Sequence, residues 1–183
     1  MALTPVTPPA VKPIIAKDQD LGFLPIKAKI TPIIMVLLAS LLETEPFVGV
    51  LSFWPSLGFL TALGWRLLRP ELWQAWMGLP LGMANDIING QPPATSMITW
   101  TACFLMMDIV DNRLVWRNYW QDWILATVAV FCSSLLALCM SCGLKGHFAI
   151  ALVADMPRIL VSILLFPVVE FFCSLVDRWR LAL

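Results

Sequence analysis

Lysine and arginine cluster between alternate pairs of apolar stretches in this chain, and that ordering constrains the fold more than any other feature. Lys12, Lys17, Lys27 and Lys29 precede the first stretch. Arg66 and Arg69 follow the second, Arg113 and Arg117 the fourth, and Arg178 and Arg180 the last. The intervening loops hold only Lys145. Multi-pass membrane proteins keep their Lys/Arg-rich loops in the cytoplasm, so the pattern predicts a polytopic chain with both termini inside. The composition agrees: 60% of the 183 residues are hydrophobic and 13% charged, where soluble domains carry about 25% charged residues. A net charge of zero gives no reason to expect a nucleic-acid partner. The N-terminus lacks the short apolar core and small-residue site that signal cleavage needs.

At about 20 apolar residues per crossing, there is room for six transmembrane helices, and the fold class expected is an all-α integral membrane protein. Residues 1–29 read as a Pro-rich cytoplasmic tail, 30–177 as the transmembrane domain and 178–183 as a short basic C-terminus. The crossings are expected near 30–42, 52–68, 72–88, 94–110, 120–142 and 148–176. The last exceeds one bilayer thickness, and Pro167 is its natural bend. Trp54 and Trp65 bracket the second crossing as interface anchors, and Trp73, Trp116, Trp120 and Trp123 suit a belt beside the cytoplasmic loops.

Ionisable groups inside a membrane mark candidate sites. Asp86 lies near the outer end of the third crossing beside Asn85, one turn before Asn89. Gly78 and Gly82 share a face with it and invite close backbone approach, while Pro80 is expected to loosen the preceding turn. Asp86 reads as part of a polar seam or pocket, or as an aspartate that reaches water or caps the next turn. Asp155 and Arg158 stand three apart, a spacing at which opposite charges meet. A lone arginine at the bilayer centre costs at least ~2.5–3.5 kcal/mol on insertion scales, so Arg158 should have a partner in Asp155, or in Asp86 across helices. Glu170 is expected to snorkel to the inner interface. Asp108, Asp111, Glu43 and Glu45 read as solvated charges.

Nothing in the pattern is catalytic. There is no Ser/His/Asp set, no phosphate-cradling glycine loop, and one histidine, His147. No cofactor is expected. Cys139 and Cys142 lack a second pair to complete a metal site, and the five cysteines read as small packing residues.

The run Trp54-Pro55, Phe59-Leu60, Trp65 and Pro70, followed by Gly78, Gly82, Asp86 and Gly90, resembles the rod shape-determining MreD family. There a proline opens the second helix and a Gly-x-x-x-Gly-x-x-x-Asp-x-x-x-Gly series runs through the third. Pro167 and the basic Arg178 and Arg180 also match. Pro93-Ala94 departs from the Leu-Gly pair usual after the third helix, and the long tail is unusual. The resemblance implies a non-enzymatic scaffold of the bacterial elongation machinery in the inner membrane. Such a scaffold partners with MreC and connects to MreB filaments and to RodA with its transpeptidase. It implies a helical arrangement similar to the substrate-binding S-components of energy-coupling-factor transporters, with a pocket near the outer face where Asn85 and Asp86 fall. Pro55, Gly78, Pro80, Gly82, Gly90 and Pro167 are then the candidates for helix packing or a partner groove. Asn85, Asp86, Asp155 and Arg158 are the candidates for a polar pocket. The competing expectation is a small-molecule or membrane-lipid binder of the S-component type.

Overall fold

The computed structural model describes residues 26–44, 54–111, 119–142 and 148–181, and all regular structure among them is helical. Six α-helices follow in order: α1 (Ile26–Glu43), α2 (Leu57–Leu68), α3 (Gly78–Asn89), α4 (Thr95–Asp111), α5 (Tyr119–Cys142) and α6 (Phe148–Leu181). Helices α3 and α4 pack antiparallel, with Gly78 against Thr101 and Gly82 against Met97. Residues 1–25 of the N-terminal tail, Glu45, Lys145, His147, Arg113, Arg117 and Trp116 lie outside the described residues, while residues 26–29, expected in the tail, belong to α1.

The centre of the bundle is α2. Its sequence, LGFLTALGWRLL, carries only Thr61 and Arg66 as polar residues, and every residue from Gly58 to Leu67 is buried. A helix apolar all round is one surrounded by others, and α1 and α6 pack along α2 with α5 touching it. Trp65 and Trp73 are core residues at 0% and 1% exposure, which corrects their reading as interface anchors. The Trp73 ring meets Phe104 edge-on at 6.1 Å. Both indoles fill space between helices that a belt residue would leave to lipid.

Helix lengths differ sharply. At 1.5 Å per residue, the 12 residues of α2 and of α3 span ~18 Å each, the 24 of α5 ~36 Å and the 34 of α6 ~51 Å. Two segments, Trp120–Met140 and Ala149–Trp179, are long and apolar enough to cross a membrane. The third helix begins at Gly78, later than expected, because residues 70–72 form a turn and Ala75–Met77 a 3₁₀ turn. The helix α6 runs through Arg178, so the basic segment is helical.

Large apolar side chains stripe the outward faces: Ile30, Ile34, Leu38 and Leu42 on α1; Leu79, Met83 and Ile87 on α3; Ile124 and Val128 on α5; Leu160, Leu164 and Val168 on α6. The repeat of about four residues keeps each stripe on one helical face.

The prolines fit by position. Pro80 is exposed and lies in the first turn of α3, where its missing N–H has no helical partner to lose. The loosened turn expected there is therefore absent. Pro167 sits inside an unbroken α6 and cannot bond the carbonyl of Ile163. The Trp123 indole Nε1 donates to that carbonyl at 3.5 Å, tying α5 to α6.

Candidate functional site

The residues 78–96 form one device that joins α3 to α4. A Cβ on Gly78 would lie 2.8 Å from the Cα of Thr101, and one on Gly82 would lie 2.5 Å from the Cα of Met97. Both glycines thus seat the backbone of α4, which is the helix-packing alternative of their sequence reading; within the bundle that face is taken by α4 and not left as a groove. Gly90 ends α3 in the left-handed conformation at φ 61°. The backbone N–H of Gln91 then bonds the carbonyl of Asp86 at 3.0 Å.

Helix α4 starts without a capping side chain of its own. Ala94, at the capping position, has no side-chain oxygen to offer and takes φ 75°. Asp86 supplies the cap from the neighbouring helix. Its Oδ1 accepts the backbone N–H of Ser96 at 2.8 Å and its Oδ2 that of Met97 at 3.4 Å. These are orphan donors of a first helical turn, which ordinarily bond the cap residue. Of its two sequence readings, Asp86 adopts the capping one.

Asn85 starts a buried amide chain. Its Nδ2 donates to Ser96 Oγ at 3.0 Å, its Oδ1 accepts from Asn89 Nδ2 at 3.0 Å, and Asn89 Nδ2 also donates to Glu43 Oε2 at 3.1 Å. Glu43 is therefore not a solvated charge. Its Oε1 is shielded from solvent, and the carboxylate lies near Ser56 and Leu57, where α2 begins. Gly58 makes this crowding possible, since a Cβ there would lie 2.3 Å from Ser40 Oγ.

Above this network lies a cavity of about 90 Å³, several times the ~10–15 Å³ one water needs. It is walled by α2 to α6, and its lining is mostly polar: Asn85, Gln91, Thr95, Ser96, Thr99, Ser133, Asp155, Arg158 and Ser162 among others, with Phe59 and Trp100 as its aromatic wall. The structure thus brings Asn85, Asp155 and Arg158 to one cavity, while Asp86, engaged with the α4 backbone, is not among its lining residues. Arg158 and Asp155 make no ion pair with each other among the described residues, which corrects the expected clamp.

The ion pairs sit at the opposite end. Arg66, with 2% side-chain exposure, pairs with Asp108 and, at 3.0 Å, with Asp111. Arg69 pairs with Asp177 at 3.0 Å. Asp108 and Asp111 are thereby corrected from solvated charges to partners of a buried arginine. Glu170 is half-buried on α6, with one carboxyl oxygen shielded from solvent. Pro55 is buried just before α2, and Pro167 is half-buried in α6.

Sequence reasoning missed Glu43, Gly58, Arg66 and the hydroxyl set of the cavity. The last had a legible signal: Thr95, Ser96 and Thr99 share one face of α4, and Ser133 and Ser162 interrupt apolar helices. Among the described cysteines, Cys103 and Cys173 are buried and Cys139 is exposed.

By architecture the protein is an all-α bundle with two helices able to cross a membrane and a polar cavity near one end. No family model, no curated protein and no solved structure matches the chain.

Proposed function

We propose that this chain is a six-helix integral membrane protein of the bacterial inner membrane, with both termini cytoplasmic, acting as a non-enzymatic scaffold of the cell-elongation machinery in the manner of MreD. On this reading it binds the membrane helix of MreC and, through it, supports MreB, RodA and its transpeptidase in lateral wall synthesis. The observation that carries the reading is the set of apolar stripes on α1, α3, α5 and α6. Soluble monomers rarely expose contiguous apolar patches beyond a few hundred Å². A bundle built this way recognises partners through helix faces. The short α2 is compatible with it, because helix ends short of the bilayer surface are tolerated where protein covers them. The resemblance gains physical sense as well: Gly78, Gly82, Asp86 and Gly90 act together in seating, capping and closing one helix pair.

Purification of tagged protein in mild detergent tests this reading. Retention of a single-span partner with a coiled-coil outer domain supports it, and recovery of only a transporter energising module overturns it.

The polar cavity favours a second reading, a small-molecule or lipid-binding membrane protein with an S-component-like helix arrangement. Asn85, Asp155 and Arg158 line one half-open cavity there. The two readings are compatible in one molecule.

A further inference from the structure

The polar cavity is not isolated. A second cavity, also about 90 Å³, lies between α4 and α5, and its lining is apolar, including Cys103, Met106, Leu125, Val128 and Leu136. Ser133 lines both cavities. Along α4 the polar cavity uses residues 95–100 and the apolar one residues 102–110, so the two are stacked along the helix axis. Met106, Val128 and Leu136 are exposed, so the apolar cavity opens sideways from the bundle.

The polar part has a defined chemistry. Thr99, Ser133 and Ser162 each donate their hydroxyl proton within their own helix, to the carbonyls of Thr95, Val130 and Arg158 at 2.7, 2.8 and 2.8 Å. A hydroxyl has one proton and two lone pairs, so what these oxygens have left to offer is acceptors. Against them stands one cationic donor, Arg158. Asp155 lines the same space one turn earlier without pairing with it among the described residues. The complement of such a surface is one acceptor-rich anionic group joined to one donor-rich cationic group.

We infer that the two cavities form a single site for a membrane lipid whose head carries both a phosphate and an ammonium. The phosphate meets the Arg158 guanidinium, a pairing suited to its planar fork. The ammonium meets Asp155 and the hydroxyl oxygens, and an acyl chain enters the seam between α4 and α5. A purely anionic head would face Asp155 as a like charge, and a purely cationic head would face Arg158. The apolar cavity selects a lipid over the free headgroup. This inference deepens the lipid-binding reading and rests on the chain being embedded in a bilayer.

The test uses the full chain in nanodiscs, with bound lipid read by native mass spectrometry. Phosphatidylethanolamine and phosphatidylglycerol are titrated separately, and water-soluble phosphoethanolamine is added as a competitor. We expect one phosphatidylethanolamine held per chain, phosphatidylglycerol weaker by about tenfold or more, and the soluble headgroup competing only at far higher concentration. Arg158→Gln and Asp155→Asn should each weaken phosphatidylethanolamine binding by about tenfold while the thermal unfolding midpoint stays in place. Val128→Trp, on the exposed rim of the seam, should weaken the lipid and leave phosphoethanolamine binding unchanged. Equal binding of the two lipids, or full binding by Arg158→Gln, overturns the assignment. Failure to insert into nanodiscs would instead defeat the membrane reading beneath it.

Discussion

The two ends of the bundle hold their charges in opposite ways. At the Arg66 end, charges meet charges: Arg66 with Asp108 and Asp111, and Arg69 with Asp177. At the Asp86 end, carboxylates meet neutral donors: Asp86 the backbone of the first turn of α4, and Glu43 the Asn89 amide beside the start of α2. Helix direction explains the difference. Both α2 and α4 begin at the Asp86 end, where unbonded N–H groups and the positive end of the helix dipole attract carboxylates. Both finish at the Arg66 end, where the dipole favours Arg66 in the last turn of α2 and disfavours Asp108 and Asp111 in the last turn of α4. Arg66 therefore offsets two unfavourably placed aspartates. The consequence is one end locked by mutual charge pairs and one end whose arginine, Arg158, stays outside any described ion pair and faces a cavity.

The largest test of this contrast is to remove each arginine. Arg66→Gln should destabilise by about 3 kcal/mol, near the low end for breaking a buried pair because Asp108 is 37% exposed. Arg158→Gln should change stability by less than about 1 kcal/mol, since no described ion pair is lost. Thermal unfolding in detergent measures both, and equal losses would abolish the distinction between the ends.

The helix pair joined at Asp86 gives the next effects. Gly82→Ala should lose roughly 2–3 kcal/mol, because the new methyl meets the α4 backbone at Met97 and Ser96, which must shift. Gly58→Ala should lose less, because its nearest obstacle is the side-chain hydroxyl of Ser40. Unfolding midpoints of the two variants in one detergent decide the order. Asp86→Ala should lose about 1–2 kcal/mol, the cost of a missing N-cap. Slower amide exchange at Ser96 and Met97 in that variant would contradict the capping role.

The smallest expected effect has the opposite sign. Ala94 holds φ 75°, a conformation that costs a residue with a Cβ roughly 1–2 kcal/mol. Ala94→Gly should therefore raise the unfolding midpoint slightly even though glycine adds disorder to the unfolded chain. A lower midpoint would show that the turn before α4 is not strained there.

Much of the helical layout was legible. Apolar runs broken by Pro, Gly and charge place α4, α5 and the start of α6 within a residue or so. The Gly78, Gly82 and Asp86 spacing showed that three groups share a face, but not that α4 occupies it. The tryptophans misled because an indole beside a charged loop reads the same in sequence whether it faces lipid or core, and Trp65 and Trp73 face core. Arg66 was counted among loop cations for the same reason: the pattern reports where a residue falls along the chain, not which way α2 is turned.

Local order along the chain was enough to specify a helical bundle with apolar outer faces, because 3.6-residue periodicity and backbone hydrogen bonding act within a few residues. The pairing of Arg66 with Asp108, of Asn89 with Glu43, and of the Ser133 and Ser162 faces around Arg158 arose from packing alone. Those contacts join residues about 30 to 46 positions apart, and what brings them together is the rotation of each helix about its own axis, which no single segment encodes.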